Sequence, residues 1–272
     1  MSKSENRNFP QLGKGVIFGL IDRALLLAIV IVVYVFTRIF CKVKVSGKGH
    51  FPRHGRVLVL ANHPSVIGIF ATMYGVFWPW VFLRIKMFPY NVGRQKYLKP
   101  LPRPLRWLVR HFQVTELPDK DASSRATRSQ IVRTEVELLT QKRDCALWLF
   151  PEGTRTPAEE YLAAFRPGIG RVVAEAFQAG SDFQTVFVCD KGSKDIWPKG
   201  QKLPNWPVRF WHGIPYPCRF PVELLISRPF HLNSSREFRQ ICQDSSLEEV
   251  GQPVADYLHA LFLIWLNAKH LD

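Results

Sequence analysis

The chain has 272 residues, 47% of them hydrophobic and 22% charged, which is enough for one large domain with a well-filled core. Its formal net charge of +15 favours anionic partners, namely membrane surfaces, phosphorylated ligands or nucleic acid. The five cysteines form no Cys-x-x-Cys pair, and there is no internal repeat, metal-ligand spacing or glycine-rich nucleotide loop. These features argue against a disulfide framework, a metal site and a bound cofactor.

The positive charge is concentrated in the first two fifths of the chain. Between Arg23 and Thr115 there is no aspartate or glutamate, while the same stretch contains fifteen lysines and arginines. In the rest of the chain, basic and acidic residues balance. The anionic partner, whether a membrane surface, a phosphorylated ligand or nucleic acid, is therefore expected to bind this N-terminal part.

The N-terminal region contains an uninterrupted apolar run of thirteen residues, 24–36, followed by basic residues. A complete membrane span needs about twenty apolar residues, and no small-residue cleavage site of a signal peptide follows. We interpret residues 1–41 as a tail and a membrane anchor, either a tilted helix in one leaflet or a marginal span. The alternative is a buried core helix. Residues 42–272 are predicted to form the α/β domain.

Two strands are predicted next, a half-exposed one at residues 42–46 and a fully buried one at residues 56–61. The second delivers Asn62 and His63 to the edge of a sheet. The uncharged segment 66–83 then predicts a helix followed by an aromatic segment at the bilayer surface or in a groove for an apolar chain. A structural core helix is the alternative for that segment.

Residues 84–110 contain eight basic residues interleaved with aromatic ones. This pattern could bind nucleic acid, but beside a long apolar run a lipid headgroup surface is the more economical partner, and we predict no nucleic-acid binding. The proline-rich segment 99–104 indicates a rigid loop, and residues 111–115 are predicted to form the next strand.

An amphipathic helix is predicted at residues 123–144 and a buried strand at residues 145–150. The sequence Phe-Pro-Glu-Gly-Thr-Arg (150–155) ends that strand with a turn, at the sheet edge where α/β proteins bind ligands. The guanidinium of Arg155 suits a phosphate group because it donates two parallel hydrogen bonds. The alternative is a surface ion pair between Glu152 and Arg155.

The C-terminal part continues the same alternation of strands and helices. A helix to about residue 179 is followed by predicted strands at 185–189, 208–211 and 222–227, and a terminal amphipathic helix at 247–266 is expected to pack on the sheet. The predicted fold class is α/β, with a mixed, mostly parallel central sheet flanked by helices.

Taken together, the Asn62-His63 segment and the Phe-Pro-Glu-Gly-Thr-Arg segment resemble the glycerophospholipid acyltransferase family, over roughly residues 40–232. The second segment matches a block of the family letter for letter. In the block Asn-His-x-x-x-x-Asp the match holds at Asn62 and His63, and Gly68 stands where the family has its aspartate. A further block is degenerate, with Arg110 and Thr115 or Glu116 at the matching places.

The resemblance implies an enzyme that moves a fatty acyl group from an acyl thioester to a hydroxyl of a lysophospholipid such as 1-acylglycerol-3-phosphate. An imidazole titrates near neutrality, so His63 is suited to act as the general base. The substrate-binding residues implied by the family's pattern are Asn62, Glu152, Gly153, Thr154 and Arg155.

No cofactor is expected to be bound; acyl-CoA or an acyl carrier protein thioester serves as co-substrate. The expected location is the membrane, with the catalytic domain facing the cytoplasm, and the oligomeric state is left open.

With Gly68 in place of the aspartate, Asp190, a backbone carbonyl or a water is considered as a substitute that orients His63. The alternative function is a catalytically inactive relative that binds phospholipid or regulates a partner.

Overall fold

The structure, a computed structural model, describes residues 41–63, 65, 88–94, 115–117, 125–153, 162–196, 205, 208–211, 214–217, 219–247 and 249–270, with single residues between 24 and 35. The predictions for residues 66–83 and 99–104 lie outside the described residues. So do those for Gly68, Thr154 and Arg155. The expected division at residues 41 and 42 stays a prediction.

Within the described residues, seven strands form one sheet and two more form a hairpin. The strands of the sheet are β1 (Cys41–Ser46), β2 (Arg56–Ala61), β3 (Phe88–Arg94), β4 (Thr115–Leu117), β5 (Cys145–Leu149), β6 (Gln184–Lys191) and β9 (Phe220–Ile226); those of the hairpin are β7 (Val208–Trp211) and β8 (Ile214–Pro217).

The order of strands in the sheet is β1-β9-β6-β2-β5-β3-β4. The five strands from β6 to β4 are parallel to one another, whereas β9 pairs antiparallel with β6 and parallel with β1. The predicted mixed, mostly parallel sheet is therefore confirmed. Strands β2 and β5 are neighbours in its middle, which explains why their side chains are apolar on both faces.

Four helices accompany the sheet in the described part of the chain: α1 (Arg125–Gln141), α2 (Pro167–Gln178), α3 (Arg236–Asp244) and α4 (Gly251–His270). Helix α2 begins with a proline at its first turn, where the missing N–H costs no hydrogen bond. Its residues 169, 170, 172, 173, 174 and 176 are buried, so the helix buries a broad face that includes the apolar stripe at residues 169, 172, 173 and 176.

Each face of the sheet has its own hydrophobic cluster because side chains alternate along every strand. On β2, Leu58 and Leu60 pack into the larger cluster, which contains residues of all four helices. Val57 and Val59 belong to the cluster of the opposite face. In the larger cluster the ring of Phe262, on α4, stacks on Phe187 of β6 at 4.6 Å between centroids. The terminal helix thus packs on the sheet, as predicted.

The backbones of helices α2 and α4 lie very close together at Gly170 of α2, which faces Gly251 and Ala255 of α4. A β-carbon placed at Gly170 would overlap the carbonyl oxygen of Gly251 and lie 2.7 Å from the backbone nitrogen of Ala255. Real β-carbon contacts are never so short, so this approach of the two backbones requires glycine at residue 170.

The described residues of the N-terminal apolar run are helical. The side chains of Ile31, Val32 and Val35 are 43%, 66% and 49% exposed. Among the residues that the structure describes, no helix has the length and apolar character needed to cross a membrane. Whether residues 1–41 form the expected anchor stays a prediction.

In the basic region 84–110 the structure shows a strand that was not predicted, β3, which pairs with β5 and β4. The headgroup surface expected for that region stays a prediction. The strand predicted at 111–115 is seen as β4 at residues 115–117, and its first four predicted residues lie outside the described part. Helix α3 and strand β8 were not predicted. Four cysteines are free and buried, as expected for reduced core residues: Cys41, Cys145, Cys189 and Cys242.

The carboxyl group of Glu135 on α1 is 6% exposed, and burial raises its pKa from 4.5 to about 8. The folded protein therefore keeps a proton that the unfolded chain releases, so the cost of burying this group is absent below about pH 4.5 and is complete above about pH 8. Glu135→Gln should raise the free energy of unfolding at about pH 9 by a few kcal/mol and change it little near pH 4. Urea denaturation at the two pH values checks this; an equal change at both would contradict it.

Candidate active site

The two sequence blocks singled out above lie together at one edge of the sheet. Strand β2 ends at Ala61 and is followed by Asn62 and His63, and the neighbouring parallel strand β5 ends at Leu149 and is followed by residues 150–153. Because parallel neighbours end on the same side, both blocks reach the carboxyl edge of the sheet, where ligands bind in α/β proteins.

The turn after β5 is closed by backbone hydrogen bonds. Gly153 donates its N–H to the carbonyl of Phe150 at 3.0 Å and has a φ of 66°, a left-handed conformation that favours glycine. The backbone N–H of Arg166 donates to the carbonyl of Pro151 at 2.8 Å, and its Nε donates to the carbonyl of Glu152 at 3.4 Å. The turn is thereby held against the start of α2.

Glu152 joins the two blocks directly. Its side chain is only 2% exposed, and its Oε1 accepts the backbone N–H of His63 at 3.2 Å. The imidazole of His63 lies over the ring of Phe150, with 4.7 Å between centroids and 36° between planes. Residues 150–153 therefore position both the backbone and the ring of His63.

Asn62 links β2 to β6 on the other side of the site. Its side chain is 1% exposed; Nδ2 donates to the carbonyl of Asp190 at 3.0 Å, and Oδ1 accepts the N–H of Asp190 at 2.7 Å. Its own N–H donates to the carbonyl of Val188 at 3.3 Å. The Asn62 carboxamide thus takes the place of the next pair of backbone hydrogen bonds between β2 and β6. It holds Asn62, and with it the backbone that leads into His63, against β6.

Asp190 is itself buried, with 1% of its surface exposed. Burial raises its pKa to about 6, and hydrogen bonds from the side chain and the backbone of Ser193 act in the opposite direction. Its Oδ1 lies 3.3 Å from the backbone nitrogen of Ser193, and the hydroxyl of Ser65 donates to the hydroxyl of Ser193 at 2.9 Å. A polar chain thus leads from Asp190 back to the residue two positions after His63.

Of the predicted site residues, the structure brings Asn62, His63, Glu152 and Gly153 together, whereas Thr154 and Arg155 lie outside the described part. Asn62 uses both polar atoms of its carboxamide on the backbone of Asp190, and Glu152 uses its Oε1 on the backbone of His63, roles that the sequence did not indicate. Sequence reasoning also missed Ser65, Ser193 and Arg166. For Arg166 a signal was available, because it opens the helix that follows the turn.

The fold and the site place the chain in a known family. A protein-family model described as Acyltransferase matches residues 42–189, more than half of the sequence. The chain therefore belongs to the Acyltransferase family, as the two sequence blocks predicted. No curated protein sequence matches it.

Among solved structures, the chain is similar to the 1-acyl-sn-glycerophosphate (LPA) acyltransferase PlsC from Thermotoga maritima. The match has a TM-score of 0.55 and 19% sequence identity, and it covers 92% of this chain and 82% of that chain. At this level of identity the likeness establishes the shared fold, so the acceptor of the present protein has to be inferred from its own site.

Proposed function

We propose that this protein is a membrane-associated acyltransferase that moves a fatty acyl group from an acyl thioester to a hydroxyl of a lysophospholipid such as 1-acylglycerol-3-phosphate. The observation that carries the proposal is the hydrogen bond between the His63 N–H and the carboxylate of Glu152. It joins the two blocks that the family resemblance singles out and holds a titratable ring at the ligand-binding edge of the sheet.

In the proposed reaction, the imidazole of His63 removes the proton of the acceptor hydroxyl as the oxygen attacks the thioester carbonyl. A tetrahedral intermediate forms, the carbon–sulfur bond breaks, and the leaving thiolate takes the proton back from the imidazolium. The new oxygen–carbon bond is the ester, so no external oxidant or reductant is needed. The rigid contacts of His63 to Glu152 and Phe150 favour this step because they reduce the orientational freedom of the base.

For substrate binding, we propose that Thr154 and Arg155 hold the phosphate of the acceptor at the turn after β5. A guanidinium is the side chain best suited to a phosphate monoester. The acyl donor is a thioester of CoA or of an acyl carrier protein. The protein is proposed to lie on the membrane with this domain on the cytoplasmic side, which the exposed apolar residues Ile31, Val32 and Val35 and the basic N-terminal stretch favour.

A second candidate function is a catalytically inactive relative that binds phospholipid or regulates a partner. The observation in its favour is Gly68, at the position where the family has its aspartate. In a related triad, replacing the carboxylate that orients a histidine lowers turnover about 10⁴-fold.

Acyl transfer by membranes containing the protein separates the two functions. Labelled acyl-CoA and acyl carrier protein thioesters are offered with a panel of lysolipids to the unchanged protein and to Gly68→Asp. We expect the unchanged protein to acylate a phosphorylated lysolipid. If only Gly68→Asp is active, the site is assembled and lacks its orienting carboxylate. Inactivity of both forms with every donor and acceptor would overturn the proposed function.

A further inference from the structure

His63 is anchored on both sides to one buried residue, Asp190, at the end of β6. On the N-terminal side, the Asn62 carboxamide makes two hydrogen bonds with the backbone of Asp190, at 3.0 and 2.7 Å. On the C-terminal side, Ser65 is linked to the Asp190 carboxyl through Ser193. In the register of β2 on β6, Ala61 lies opposite Val188 and forms the last pair. His63 and Asp190 each follow two positions after their strand's member of this pair.

The hydrogen bonds of the Ser65 link run in one direction. The hydroxyl of Ser65 donates to the oxygen of Ser193, at 2.9 Å. The hydroxyl and the backbone N–H of Ser193 both donate to the Asp190 carboxyl. Ser65 and Ser193 are each 0% exposed, so solvent cannot replace these bonds. The last group in such a chain has to accept hydrogen bonds without donating one. The oxygen of an ionised carboxyl group does this.

The second carboxyl oxygen of Asp190, Oδ2, accepts no hydrogen bond from any residue in the described part of the chain. A buried acid with one unpaired oxygen is costly to keep, because burial disfavours its charged form. An apolar residue could fill the same space at lower cost. A cost of this kind at the edge of a candidate site indicates a functional use of the group.

We propose that Asp190 is a positioning residue of the site, whose carboxyl group holds the turn at Ser193 and, through it, the Ser65 side of the segment that presents His63. The proposal deepens the proposed function and rests on it for its kinetic consequences. Asp190 substitutes for the absent aspartate by fixing the segment that carries the base, through its Oδ1.

The role of Oδ1 makes a specific prediction for two substitutions. Asp190→Asn keeps an oxygen that accepts from Ser193, and its new N–H₂ group replaces the oxygen that has no described partner. Asp190→Ala removes the acceptor and releases Ser193 and Ser65, while the backbone bonds to Asn62 remain. A positioning role through Oδ1 therefore predicts that alanine is damaging and asparagine is not.

The kinetic test measures kcat and the acceptor KM of the full-length protein in membranes, normalised to folded protein. Asp190→Ala should lower kcat about 10²-fold, the effect of a displacement near 1 Å, and leave the acceptor KM within about threefold. Asp190→Asn should keep kcat within about threefold. The matched control is Glu135→Ala, which removes a second buried carboxyl group, on α1, and should change kcat little.

Combining the substitutions tests whether Asp190 and Ser193 act as one chain. Ser193→Ala alone should lower kcat, and the double substitution with Asp190→Ala should lower kcat no further than Asp190→Ala does, because residues of one hydrogen-bond chain are not additive. Independent, multiplying losses would overturn the proposal. So would an unchanged kcat in Asp190→Ala, a loss in Asp190→Asn equal to that in Asp190→Ala, or an equal loss in the Glu135→Ala control.

A measurement without catalysis separates this inference from the proposed function. Hydrogen exchange of a peptide containing residues 62–65 should speed up in Asp190→Ala and stay unchanged in Asp190→Asn and Glu135→Ala. If the unchanged protein is inactive but exchange follows this order, the positioning role stands and the proposed function fails. If the protein is active but exchange is the same in every variant, the positioning role fails alone.

Discussion

Replacing His63 with glutamine should lower acyl transfer at least about 10³-fold, because glutamine cannot take a proton from the acceptor hydroxyl. The fold should survive, since the contact from residue 63 to Glu152 uses the backbone N–H and does not depend on the side chain. The loss should appear in kcat, with the acceptor KM little changed, because the base acts in the transition state. Initial rates with labelled acyl thioester, at saturating lysolipid, measure it.

The matched control for this substitution is His259→Gln. His259 lies on α4, its Nε2 is buried without a described partner, and its ring packs on Phe165 at 5.1 Å between centroids. Partial burial lowers the pKa of His259, because burial disfavours the charged form of an imidazole. His259→Gln should affect stability more than turnover. Comparable rate losses in the two variants, or a rate within tenfold of the unchanged protein in His63→Gln, would contradict the role of His63 as general base.

The central part of the fold was predictable because its strands have a strong local signal. Strand β2 was predicted with the same limits as observed, and β5 differs by one residue at its end. Both are runs of apolar residues, the pattern of strands buried on two faces. Since both strands are followed by the conspicuous polar blocks, their convergence at one sheet edge was also predictable.

Strand β3 was not predictable because its sequence, FPYNVGR, contradicts strand preferences. Proline, asparagine and glycine are all depleted in strands, and the surrounding basic residues indicate an exposed surface. Pairing with β5 on one side and β4 on the other outweighs these local preferences. The stabilisation of β3 by strand pairing near the centre of the sheet depends on residues far away in the sequence. It therefore cannot be recognised from the residues of β3 and their neighbours in the chain.

The C-terminal helices show a different reason for error. The terminal helix was predicted from residue 247, but Ser246 accepts the N–H groups of Glu249 and Val250 through its carbonyl, and α4 begins only at Gly251. Helix α3 was missed although Ser235 caps it, accepting the N–H of Phe238 at 3.3 Å. A serine cap is a recognisable sign of a helix start. In a helix of only nine residues, however, the repeat of apolar residues is too short to confirm the prediction of a helix.

At the site, the sequence could name some of the residues, such as Asn62, His63 and Glu152, but not all of their roles. Asp190 and Asn62 are 128 positions apart, and their contact depends on β6 being the neighbour of β2. Strand order is not encoded in local patterns, so Asp190 could be considered only as one possible partner of His63. The same limit applies to Ser65 and Ser193, two serines with no distinguishing sequence context.

The largest effect on stability is expected at the contact between α2 and α4. Gly170→Val should destabilise the protein by about 3 kcal/mol or more and lower the melting temperature by about 10 °C. The atoms in the way are the carbonyl of Gly251 and the nitrogen of Ala255, and backbone atoms cannot rotate aside as a side chain can. The helices must separate, which loosens the larger core cluster where Phe262 stacks on Phe187.

A second glycine of the same helix provides the matched control. Around Gly168 a β-carbon would meet nothing within 4 Å, so Gly168→Ala should leave the packing intact and stabilise the protein by about 0.4–1 kcal/mol, mainly by restricting the unfolded chain. Thermal and urea denaturation of both variants decide between them. If Gly170→Val were as stable as the unchanged protein, α2 and α4 would have to be farther apart than the structure places them. The larger core would then have to close without direct contact between their backbones.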